Sequence, residues 1–179
     1  MKLLLTILIY KTSLFMQNNN FEKLLGRDIS TAKSFLGDDF ENKLFQKNFY
    51  YTKYKNETIY KNFYGIPFNC VSFQTDEKEI IESVTVHFVR VTNRAFYDQL
   101  IEIYGNPNQI KVIEKREEIS RHISTDETFR QEMTQNIIEL REGSFEENPL
   151  YIIWEKENFT ITIFSRYKNG ISEITFKNK

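Results

Sequence analysis

Residues 66–88 read Ile-Pro-Phe-Asn-Cys-Val-Ser-Phe-Gln-Thr-Asp-Glu-Lys-Glu-Ile-Ile-Glu-Ser-Val-Thr-Val-His-Phe. Ile66, Phe68 and Cys70 alternate along the first part and Val84, Val86 and Phe88 along the last. A period of two marks half-buried strands, and the polar stretch 75–78 between them reads as a turn. The segment is therefore expected to be a β-hairpin with those six residues facing the core. Working outward, residues 150–155, 159–165 and 171–177 form a second strand series, with turns at 156–158 and 168–170. A further strand is expected over 109–117. An antiparallel sheet is the frame that these segments define.

Just upstream lies Lys-Asn-Phe-Tyr-Tyr-Thr-Lys-Tyr-Lys-Asn-Glu-Thr-Ile-Tyr-Lys-Asn-Phe-Tyr-Gly, residues 47–65, which carries five of the ten tyrosines and repeats Lys-Asn-Phe-Tyr at 47–50 and 61–64. With a turn at 55–58, one face of a hairpin carries Phe49, Tyr51, Lys53, Tyr60, Asn62 and Tyr64; the other carries Tyr50, Thr52, Tyr54, Ile59, Lys61 and Phe63. Tyrosine gives a large, rigid contact at low entropic cost, so a surface cluster points to recognition. Tyr51, Lys53, Tyr60 and Tyr64 are the candidate partner-binding residues here. A compositional reading stands beside this one, because Lys, Asn, Ile, Phe and Tyr all have A/T-rich codons and the chain holds only Ala32 and Ala95.

Helix signals are fewer. Asp28 reads as an N-cap for a short helix with Ile29, Ala32, Phe35 and Leu36 on one face and Gly37 as its stop. Asn93 caps a helix over 94–104 that Gly105 and Pro107 end. Ser124-Thr125-Asp126-Glu127 has capping-box form before Phe129, Met133, Ile137 and Leu140, whose spacing suits a helix closed by Gly143. The expected fold is a single α+β domain over residues 21–179, helices packed on one face of a largely antiparallel sheet, with 1–20 as an N-terminal extension or degenerate signal. Strands at 60–88 parallel those at 150–176 at an offset of 90, which suggests a duplicated helix-plus-meander unit with half-repeats at 21–91 and 92–179.

A short helix closing on Leu-Gly or Tyr-Gly-x-Pro and followed by an antiparallel meander with an aromatic strand, with Leu25-Gly26, Phe35-Leu36-Gly37 and Tyr104-Gly105-Asn106-Pro107 as its sharp points, resembles the tandem α/β units of β-lactamase-inhibitor-like proteins. The resemblance covers most of residues 24–177 as pattern. It implies an open sheet whose concave face grips another protein.

The totals narrow the function classes. At 179 residues, with 40% hydrophobic and 27% charged, the chain suits one folded domain. A net charge of −1 gives no long-range field toward nucleic acid or membrane, although residues 42–75 hold five lysines against Glu57 alone. Cys70 is the only cysteine, so no intramolecular disulfide and no cysteine-based zinc site can form. The apolar run 3–10 is interrupted by Lys11 and is too short to span a bilayer. No small-residue cleavage site follows it, and Met16 offers a second start. A cytoplasmic protein is expected; export is the alternative if residues 1–17 act as a signal.

No catalytic, cofactor or metal pattern emerges. His87 and His122 are 35 residues apart; His87 reads as a half-exposed strand histidine and His122 as solvated in a charged connection. Cys70 reads as a small core hydrophobe. The carboxylate pairs Asp38-Asp39, Glu117-Glu118 and Glu146-Glu147 read as solvated loop acids. In the loop 141–149, Phe145 flanked by Glu142, Glu146 and Glu147 forms an apolar anchor in an acidic rim, or else a satellite of the core. Phe145, Glu146 and Glu147 complete the candidate partner-binding set. The expected function is a non-catalytic protein-binding module of bacterial immunity or inhibitor type, with no cofactor. The alternative is a single-stranded nucleic-acid or small-ligand binder using the lysines and aromatics of 43–64. Trp154 is expected to be buried.

Overall fold

The computed structural model describes residues 20–36, 43–46, 48–53, 61–125 and 130–179. Its strands are β1 (Lys43–Gln46), β2 (Phe49–Lys53), β3 (Lys61–Phe63), β4 (Ile66–Thr75), β5 (Ile81–Phe88), β6 (Gln109–Thr125), β7 (Arg130–Glu142), β8 (Tyr151–Glu155), β9 (Phe159–Arg166) and β10 (Ile171–Asn178). All join one sheet in the order β1-β2-β4-β5-β10-β9-β8-β6-β7, with β3 also on β4. Every pairing is antiparallel. The α-helices among the described residues are α1 (Ser30–Leu36) and α2 (Arg94–Tyr104). No helix among the described residues is long and apolar enough to cross a membrane.

Register explains the core. Because successive side chains on a strand point to opposite faces, residues directly opposite one another across the ladders share a face. One row runs Tyr50, Phe73, Val84, Phe176, Ile161 and Trp154. The next runs Val71, Val86, Ile174, Ile163 and Ile152. All eleven are buried. Onto this face come Phe21 and Leu24 from a 3-10 turn, Ile29, Ala32 and Leu36 from the α1 region, and Phe96, Tyr97 and Leu100 from α2. The rings of Phe21 and Phe63 lie 5.3 Å apart, and those of Phe88 and Phe96 5.4 Å apart.

The α+β expectation is corrected. The chain is mostly antiparallel sheet, and the two α-helices among the described residues, of seven and eleven residues, are too short to make a helical layer. Of the helix expected over 125–142, residues 130–142 are instead β7, paired along its length with β6, and 126–129 lie outside the described residues. Its apolar residues fall on both faces of the ribbon: Met133 and Ile137 on one, Ile138 and Leu140 on the other. No burial enforces a period of two there, and the helical spacing of the sequence was accidental. Gly143 does not close a helix; it follows β7, where an added Cβ would lie 2.7 Å from Val112 Cγ1.

The tyrosine hairpin is corrected as well. β2 and β3 do not pair with each other; both lie end to end along the same edge of β4, β2 against residues 70–74 and β3 against 66–68. The ten-residue β4 offers both of them a ladder partner. Cys70 also changes face, because the register shifts between Phe68 and Cys70, and a bulge reverses the alternation beyond it. Past that point Val71 and Phe73, not Cys70, enter the core. Helix α2 forms as its signals indicate: Asn93 Oδ1 accepts the Phe96 N–H at 2.9 Å, and Gly105 ends it at φ 76°. The readings of residues 1–15 and of Asp38-Asp39 lie outside the described residues.

Candidate functional site

The face opposite the core is polar and aromatic. One row across it runs Tyr51, Ser72, Thr85, Thr175, Thr162 and Ile153. The neighbouring row runs Cys70, His87, Glu173, Phe164, Tyr151 and Lys111. Their side chains alternate with the buried set, and all but Ser72 remain half-exposed. Both described α-helices add to the opposite face. A six-strand platform of large side chains therefore meets solvent.

At its centre three strands bring together residues far apart in the chain. Ser72 Oγ lies 2.8 Å from His87 Nε2, and His87 Nδ1 lies 3.1 Å from Glu173 Oε2. Beside them Thr85 Oγ1 and Thr175 Oγ1 share a hydrogen bond of 2.8 Å. The His87 imidazole lowers the Glu173 carboxyl below the usual glutamate range, with Arg166 adding to the effect, although burial opposes it. A Ser-His-carboxylate relay has the connectivity of a nucleophilic triad. Acyl transfer also needs donors aimed at a developing oxyanion, and here Ser72 sits within β4, paired on one side with Tyr51 and on the other with Thr85. Ser72 is itself only 6% exposed. The relay is better placed to fix His87 and Glu173 upright on the platform than to attack a substrate.

Two depressions flank the centre. The shallower, about 260 Å³, is formed by Phe49, Tyr51, Cys70, Ser72 and His87. The larger, about 470 Å³, lies where β6 and β7 leave the sheet. Tyr151 and Phe164 stack at its edge with centroids 5.0 Å apart, and Arg166 lies 4.9 Å over the Phe164 ring. Beyond this cleft β6 and β7 continue as a two-stranded arm, since β8 pairs only with residues 109–111 of β6. Met133 and Ile137 on that arm are 63% and 52% exposed.

The sequence-derived candidates separate. Tyr51 lies on the platform and lines the shallower depression. Lys53 pairs with Cys70 in the ladder, which puts it in the His87 row; its side chain lies outside the described residues, as does all of Tyr60. Tyr64 is on the core side, with its ring 4.6 Å from Phe63 and 6.3 Å from Phe96, and burial raises its hydroxyl pKa. Phe145 stacks on Tyr97 at 4.5 Å. Arg94 covers both rings and pairs with Glu146. Glu147 completes a capping box with Ser144 and pairs with Arg141, which holds its carboxyl below the usual range. The loop's aromatic and its two acids thus have partners within the chain.

His87 is the half-exposed strand histidine that its sequence position implies, with its side chain 38% accessible. Ser72, Glu173, Tyr151, Phe164 and Arg166 were not singled out. Counting outward from the 156–159 turn would have set Tyr151 opposite Phe164, so that pair was within reach. Glu173, 86 positions from His87, gave no local signal. Among the described residues no group of three His, Cys, Asp or Glu gathers as a metal would require. No family model, curated protein or solved structure matches the chain, so the likeness to β-lactamase-inhibitor-like units rests on the quoted motifs.

Proposed function

We propose that the chain is a non-catalytic protein-binding module of immunity or inhibitor type, acting through the open sheet face. The observation that carries this reading is the platform itself. Tyr51, His87, Glu173, Phe164 and Tyr151 are presented half-exposed from five strands. Aromatic residues and arginine dominate the energetics of protein interfaces, and side chains held on strands are pre-organised, so little ordering cost opposes binding.

The test is capture from extracts of the native host with the wild type, with Tyr151→Ala/Phe164→Ala on the platform, and with Arg94→Ala on the opposite side. A partner retained by the wild type and by the Arg94 variant, but lost with the platform variant, is the expected result. Equal loss with both variants, or retention by all three, defeats the proposal. Salt-steep retention of an oligonucleotide in place of a protein would favour the nucleic-acid alternative.

A further inference from the structure

The larger cleft carries charge of one sign. Its lining includes Arg116, Arg166 and Lys168 and no carboxylate. Elsewhere several described cations are matched by a carboxylate, Arg94 by Asp98 and Glu146, Lys111 by Glu142, Arg121 by Glu118 and Arg141 by Glu147, while Lys61 and Lys156 donate to backbone carbonyls. None of the three cleft cations forms an ion pair among the described residues, and Arg166 reaches Glu173 only at longer range. Three cations without an ion pair thus line one concavity in a chain of net charge −1. A concave low-dielectric wall concentrates such a field.

The floor is of another kind. Ile113, Ile138 and Leu150 contribute aliphatic surface, and the Tyr151–Phe164 stack forms one wall. At about 470 Å³ the space is in the range of roughly 300–1,000 Å³ that receives one or two large side chains or a small ligand. Cations around an apolar floor fit carboxylates that flank a hydrophobic side chain. They fit a polyanion poorly. Beyond the cleft β6 continues with Glu117 and Glu118, paired with Lys115 and Arg121, so that stretch of the arm offers a nucleic-acid backbone no continuing run of unpaired cations.

We infer that this cleft receives an acidic segment of the partner protein, its carboxylates on Arg116, Arg166 and Lys168 and an apolar side chain on the floor. This rests on the protein-binding reading above and adds the chemistry of the partner. Arg166, stacked on Phe164, can present its guanidinium edge to a carboxylate while its face stays on the ring.

The experiment uses the full chain and a fluorescein-labelled peptide alternating glutamate with phenylalanine and leucine, read by fluorescence anisotropy. Controls are the same peptide with glutamine for glutamate, an oligothymidylate, and free phenylacetate as competitor. The acidic peptide should bind and the glutamine peptide should bind at least about tenfold more weakly, with Arg116→Gln/Arg166→Gln/Lys168→Gln producing a comparable loss. Circular dichroism verifies that the triple variant is folded; single variants replace it if it is not. Equal binding of the two peptides, no binding of either, or no effect of the substitutions would overturn the inference. Tighter binding of oligothymidylate would assign the cleft to phosphate, and full displacement by phenylacetate at equal concentration to a small carboxylate; both overturn it too. If platform-dependent capture succeeds while the acidic peptide fails, the protein-binding function stands and the acidic partner does not.

Discussion

Truncating Trp154 to alanine tests the core where it is most concentrated. Trp154 is the only tryptophan, is fully buried, and lies in the row that also contains Phe73, Val84, Phe176 and Ile161. Its indole N–H donates to the Gly105 carbonyl at 2.8 Å, and Tyr97 lies 6.2 Å from its ring. Removing a fully buried aromatic costs about 3–5 kcal/mol, the cavity included. The lost hydrogen bond adds little beyond this, because Gly105 is exposed and its carbonyl regains water. Against a typical total of about 5–15 kcal/mol the loss is severe, and it corresponds to a fall in Tm of about 6–20 °C for a domain of this size. Urea denaturation followed by far-ultraviolet circular dichroism measures it, since the variant has no tryptophan to report. In the wild type, fluorescence should be blue-shifted and resistant to acrylamide. A loss below about 1 kcal/mol, or red-shifted and readily quenched native emission, would refute the assignment of Trp154 to the core.

Three further outcomes are expected. Gly105→Ala should destabilise by about 1–3 kcal/mol in urea titration although open space surrounds the added Cβ, because φ 76° with ψ −172° is a conformation essentially reserved for glycine. Gly143→Ala should destabilise for the opposite reason, a clash with Val112 and Glu147 Oε1 without a positive φ, and Val112→Ala should relieve the Val112 part of it in the double variant. Glu173 has its carboxyl pKa lowered by His87, so the pair contributes stability at pH values above the ordinary glutamate range and loses it as pH falls through the depressed folded-state value. Urea midpoints of the wild type should therefore drop more than those of Glu173→Gln as pH is lowered through and below that range; parallel curves would remove the pair from the account.

Legibility followed burial. The β4–β5 hairpin and the β8–β9–β10 meander were readable because one face of each is fully covered, so apolar and polar residues had to alternate. The β6–β7 arm is exposed on both faces, and nothing forced its pattern to declare a strand; Met133, Ile137 and Leu140 therefore matched a helix. Cys70 was lost to a single bulge, which a period count cannot anticipate. The tyrosine segment misled in another way. Proximity in sequence favoured a hairpin between its halves, whereas β4 provided a longer edge to both. For the candidate site, Tyr51 was legible from composition, but Ser72, His87 and Glu173 converge from β4, β5 and β10, and only the completed register brings them together.

The β5–β10 pairing sets an order of events for the nascent chain. Thr85 lies opposite Thr175, so the inner edge of β5 waits for residues made ninety positions later. Until then the hairpin of β4 and β5 presents an open, β-branched border, Val84-Thr85-Val86, of the kind that captures stray strands. The β5–β10 seam is therefore a place where synthesis is vulnerable to misassembly, and where a free peptide copying 171–178 would compete with the chain's own strand.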